Sequence, residues 1–180
     1  MQRCYGAFPD QISAEGEVAL VLHEGPLGLD WAHSGATAEF LADIFGLAAA
    51  RAGLDPVNAR HSIAYLANEL MENAIKFRAP GLVLIKSRLR ETLFELLVTN
   101  TIAVETGMRF EALLAEMLAR DPGELLIERI EANAADPDAG GSGLGLLTLL
   151  NDYGATLGWC FEAEEAGAVT LRTYAGLPLG

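Results

Sequence analysis

Positive charge is scarce in this chain. Twelve lysines and arginines stand against 25 aspartates and glutamates, a formal net charge of −13. Such a chain repels nucleic acid and anionic membrane at long range, so neither is expected as a partner. An anionic small ligand would need local help from a metal ion or a helix N-terminus. Cysteine is nearly absent. Cys4 and Cys160 are far apart and outside any metal-ligand spacing, so they are expected to be reduced, packed residues of a cytosolic protein. No apolar run reaches membrane-spanning length, and the start lacks the basic-then-apolar order of a signal segment. What is present is 51% hydrophobic and 21% charged residues over 180 positions, a composition for one globular domain with a well-buried core.

Residues 1–15 carry no strong signal and read as an irregular lead-in. Glu17 to His23 reads as a strand, and Asp30 to Ala52 as a helix stopped by Gly53. That helix has an apolar stripe of Ala38, Leu41, Ala42, Phe45, Ala48 and Ala49. Phe40, Ile44 and Leu47 form a second stripe, expected to be core cover or else a homodimer surface. Leu82–Ser87 and Leu93–Thr101 read as a hairpin turning at Arg90-Glu91. Met108–Ala119 and Glu124–Ala132 read as helices, and Ala134–Gly141 as a breaker-rich loop. Leu144–Tyr153 reads as a helix, followed by strands over Leu157–Ala163 and Val169–Tyr174. Short turns between consecutive strands predict antiparallel pairs covered by helices on one face. The expected class is α+β, a two-layer α/β sandwich with a mixed, mostly antiparallel sheet.

Two stretches carry chemistry. His61 to Gly81 has Ile63, Leu66, Ala67, Leu70, Ala74 and Ile75 at helical spacing, with Pro80-Gly81 as the expected stop. Its other side aligns Glu69, Glu72, Asn73 and Lys76 in one polar stripe, because residues three and four apart are neighbours. The stripe is either a solvated face with a Glu72–Lys76 pair or the floor of a phosphate site. Gly140-Gly141-Ser142-Gly143-Leu144-Gly145-Leu146 lies directly before a helix, where free N–H groups and the dipole favour an anion. Alone, that loop is as well read as a flexible helix cap. It lacks the sixth-position glycine and preceding strand of a dinucleotide fingerprint, and no Lys-Ser/Thr follows it as a P-loop requires.

Together, Glu69-x-x-x-Asn73-Ala74-x-Lys76 and G-x-G-L-G-L about seventy residues later resemble the GHKL (histidine-kinase-like) ATPase superfamily over roughly residues 60–175. The resemblance implies ATP and Mg²⁺ as cofactors. It makes Asn73 the metal ligand and Glu69 the general base. Lys76 becomes a phosphate contact, and Gly141, Gly143 and Gly145 the glycines that close over the phosphates. The loop before them takes the place of the ATP lid, and Thr170 that of a nucleotide-contacting threonine on the last strand. The family's Asp-x-Gly-x-Gly box departs here: Asn100 stands for the aspartate, and Ile102 and Val104 for both glycines. An Asn carbonyl still accepts from an adenine amino group, but the loop backbone must differ.

His23, His33 and His61 sit in no dimerisation helix pair, and the length leaves no room for gyrase-type extra domains. Within the superfamily the chain is most similar to anti-sigma-factor and SiaB-type partner-switching serine/threonine kinases. That implies a cytoplasmic histidine-kinase-like domain with an N-terminal extension over about 1–55, phosphorylating a small antagonist-type regulatory protein. The alternative is a degenerate binding module that sequesters a partner or dimerises without ATP turnover.

Overall fold

The computed structural model describes residues 2–9, 18–23, 28–135, 143–164 and 167–180. Strand β1 (Gln2–Gly6) and strand β2 (Val18–His23) precede helix α1 (Trp31–Arg51) and helix α2 (Pro56–Lys76). The hairpin β3 (Leu82–Arg90) and β4 (Leu93–Ala103) leads into α3 (Val104–Ala119), α4 (Pro122–Ala135) and α5 (Leu144–Asn151). Strands β5 (Thr156–Ala163) and β6 (Ala168–Pro178) close the chain.

Alternation builds the sheet. In β4, Phe94, Leu96, Val98, Asn100 and Ile102 point inward, while the residues between them stay partly exposed. The six strands run in the order β1-β5-β6-β4-β3-β2. The sandwich is as expected, but every strand pair among the described residues is antiparallel, so the sheet is not mixed. The lead-in is also not irregular throughout: Gln2–Gly6 forms an edge strand on β5. A five-residue segment with a mostly exposed burial pattern has no hydrophobic alternation to announce it.

That edge strand brings the cysteines together. Cys4 and Cys160 are register partners and form a disulfide, Sγ–Sγ 2.15 Å, across a sequence separation of 156. The expectation of two separate thiols is overturned, and the argument it gave for a reducing compartment lapses. Phe8 then crosses the outer side of β5, where any side chain on Gly158 would collide with the Phe8 backbone.

Helices α1 and α2 cover the inner face. Asp30 caps α1 in a reciprocal arrangement with His33, and Asp55 caps α2 by accepting from Val57 N (2.9 Å) and Asn58 N (3.3 Å), with Pro56 in the first turn. Gly46 of α1 faces Arg60 and Pro56 of α2. Phe45 meets Phe94 edge-on at 4.9 Å, tying α1 to β4. The second stripe of α1 is not core cover along its length: Phe40 is 45% and Leu47 69% exposed. Helix α2 ends at Lys76, four residues before Pro80, because the chain turns at Phe77 to lay Arg78 and Ala79 against the end of β4. Among the described residues no helix is long and apolar enough to cross a membrane.

Candidate nucleotide site

Helix α2 sets the first wall. Ile63, Leu66, Ala67, Leu70, Met71, Ala74 and Ile75 are buried on the core side. Burying that stripe turns Glu69, Glu72, Asn73 and Lys76 to a single edge, where they line a cleft of about 550 Å³. The N-terminus of α5 supplies the opposing wall through Gly143, Leu144, Gly145 and Leu146. Gly143 is the N-cap in the left-handed conformation (φ 91°); the first N–H groups of the helix have no intrahelical acceptor, and among the described residues no side chain caps them.

The two walls meet at one point. A Cβ built on Gly145 would fall within the Glu69 carboxyl group, so only glycine lets that carboxylate lie against the helix end. Burial, then the Glu72 charge, push the Glu69 carboxyl above its ordinary value of 4.5. Asn73 follows one turn later on the same edge. Lys76 makes no ion pair with Glu72 among the described residues; its Nζ lies 5.2 Å from the Phe77 ring centroid.

The sheet forms the floor. Asn100 is 4% exposed, and its Nδ2 donates to Ala74 O at 3.4 Å, joining β4 to α2. Ile102, Trp159, Leu171 and Thr173 complete the floor, and α3 closes the side with Thr106, Arg109, Phe110 and Leu113. Where a glycine box would loop out, β4 instead runs unbroken to Ala103 and α3 begins at Val104. Ala79 N donates to Thr101 O at 2.7 Å and holds that end in strand form.

Glu69, Asn73, Lys76, Asn100, Gly143 and Gly145 are therefore brought to one cleft. Gly141 lies outside the described residues. Thr170 does not reach the cleft: it sits on the outer face of β6 and donates to Glu164. Thr173 takes the inner position, because it shares the face of Val169, Leu171 and Ala175. That two-residue period was the signal available in the sequence. Arg109 was missed because an arginine in an amphipathic helix is ordinarily a solvated one. Among the described residues it has no ion-pair partner, which leaves a guanidinium at the cleft. Among those residues no group of three or more His, Cys, Asp or Glu is placed to hold a metal.

No protein-family model and no curated protein matches the chain. Among solved structures, it is similar to a chain in the crystal structure of the SiaB–SiaC complex from Pseudomonas aeruginosa. The TM-score is 0.60 at 14% identity, over 78% of this chain and 84% of that one. At that identity the likeness is one of fold.

Proposed function

We propose that the cleft binds Mg-ATP and that the protein is a serine/threonine protein kinase acting on a small antagonist-type regulatory protein. The observation that carries this reading is the seating of the Glu69 carboxylate against Gly145 at the open N-terminus of α5, with Asn73 one turn away. Helix N–H groups meet phosphate oxygens there, and Lys76 and Arg109 add local positive charge to a chain that is net acidic. The donor set suits a hard cation that keeps waters and phosphate oxygens as its other ligands: the Asn73 amide oxygen would hold it, with Glu69 nearby. When bound, Mg²⁺ neutralises charge developing on the transferred phosphoryl group. Glu69 takes the proton of a partner Ser or Thr hydroxyl. That oxygen attacks the γ-phosphorus as the bond to the β-phosphate oxygen breaks, and ADP leaves. A carboxylate with raised proton affinity is better matched to this task than a fully solvated one.

A protein partner is supported by the structural neighbour of like fold, which comes from a complex of two proteins. The unbroken end of β4 favours a second reading, a binding module with weak or no nucleotide turnover. Calorimetry with Mg-ATP, then incubation of labelled ATP with candidate partners, separates the two. Saturable heat and label on a Ser or Thr of the partner support the kinase. Absence of heat at millimolar ATP supports the module.

A further inference from the structure

The floor of the cleft holds a polar group that the proposed transfer chemistry does not use. Trp159 is 1% exposed and lines the cleft, yet its Nε1–H has no acceptor among the described residues. Buried indole N–H groups ordinarily find one. Trp159 pairs with Thr173 in the β5–β6 register, and Thr173 with Val98 two residues before Asn100, so all three polar side chains share the inner face. Asn100 spends its Nδ2 on Ala74 O, and its Oδ1 accepts no hydrogen bond among the described residues. Among the described residues the inner face thus holds one unpartnered donor and one unpartnered acceptor on residues that line the cleft with Ile102, Phe110 and Leu171.

We propose that the Trp159 indole N–H is the specificity-determining donor for the base of a bound nucleotide, acting beside Asn100 Oδ1 on a purine that presents a ring-nitrogen acceptor and an amino donor. This deepens the nucleotide reading and rests on it. The pair makes up for the missing aspartate and glycines of the box at 100–104, because recognition moves from a loop to the sheet floor. Phe110 stands edge-on against the indole, ring centroids 6.1 Å apart. Helix α3, which carries Phe110, buries Gly107, Leu114 and Met117, and its Glu111 carboxylate accepts from Arg3 Nε (2.7 Å), Arg3 Nη2 (3.1 Å) and Tyr5 OH (3.0 Å) of β1. Because Nε1 is buried, the base reaches it only if Phe110 and its helix shift outward, a motion the Glu111 bonds to Arg3 and Tyr5 oppose.

The test uses the full chain and two ligands, Mg-ATP and Mg-tripolyphosphate, which has phosphates and no base. The only other tryptophan, Trp31, is 76% exposed and does not line the cleft, so Trp31→Phe leaves Trp159 as the sole indole reporter. In that background Mg-ATP is expected to change the emission saturably, with the dissociation constant found by calorimetry, and tripolyphosphate to leave it unchanged. Trp159→Phe keeps an aromatic ring against Phe110 and is expected to weaken Mg-ATP about tenfold while leaving tripolyphosphate affinity as it was. Equal effects on the two ligands, or ATP heat without any emission change, overturn the assignment while the nucleotide site stands. No heat with ATP overturns both. The emission arm needs no change at Trp159, so it decides the matter even if the Phe variant folds poorly.

Discussion

Glu69 and Gly145 hold each other's position, and both can be altered separately. Gly145→Ala adds a methyl where the carboxyl lies, but the obstacle is the end of a flexible side chain, so the fold should survive with Glu69 swung aside. Phosphoryl transfer is expected to fall about 100-fold or more, with an unchanged far-ultraviolet spectrum. Glu69→Gln is expected to abolish transfer while leaving Mg-ATP heat largely intact. Its stability effect has a defined sign. The folded carboxyl is pushed above 4.5 by burial and by Glu72, so the folded state binds more protons than the unfolded one between those two values. The stability tied to this group is full below the ordinary value and is lost as pH rises through the raised one. The Gln variant should therefore melt about 2 °C higher than the parent near pH 7.5, with the gap closing at about pH 4. A lower melting temperature near neutrality would contradict the burial of that charge.

Among the elements, the outer face of the β3–β4 hairpin carries its own polar cluster. Arg88 holds Glu95 with two hydrogen bonds, 2.6 and 3.0 Å, and Tyr174 donates to the same carboxylate at 3.0 Å from β6. Burial pushes Glu95 up, but the Arg88 and Tyr174 hydrogen bonds and the Arg88 and Arg90 charges outweigh it and hold the carboxyl low. Burial and the bond to Glu95 push the Tyr174 hydroxyl up to about 12, so it remains a donor throughout the neutral range. Arg88→Ala should cost about 2 kcal/mol at neutral pH, read from the urea midpoint, because a half-enclosed carboxylate loses its two-pronged partner. A depressed carboxyl contributes stability above its ordinary value and loses it as pH falls through the folded one. Parent and variant should accordingly converge in acid.

Reading elements from pattern worked where one period dominates. Helix α2, the β3–β4 hairpin and the last two strands follow from apolar spacing alone, and the edge of α2 that lines the cleft follows with them. The exposed edge strand β1 did not, because its order comes from pairing with β5 across most of the chain. Thr170 and Thr173 are the opposite case on a smaller scale. Both are strand threonines, and the alternation that buries Val169, Leu171 and Ala175 puts Thr173 on the inner face and Thr170 on the outer.

At the scale of the whole molecule, the charge of −13 opposes any bare triphosphate. Among the described residues, the positive groups at the cleft are Lys76, Arg109 and the α5 N-terminus. Chelating Mg²⁺ with EDTA is therefore expected to weaken ATP binding at least about tenfold, and Arg109→Ala by a similar factor, about 1.4 kcal/mol, both measurable by calorimetry. Equal affinity with and without the metal would rule out Asn73 as its ligand.

The amino-acid order by itself determined the α+β sandwich, the polar edge of α2 and the glycine-led start of α5, because each depends on local period or local backbone freedom. The tertiary structure alone decided that Glu69 lies on Gly145, that Cys4 meets Cys160, and that Arg109, Trp159 and Thr173 converge on the cleft. Glu69 and Gly145 lie 76 positions apart and the two cysteines 156, and only packing a complete sheet against its helices brings such residues together.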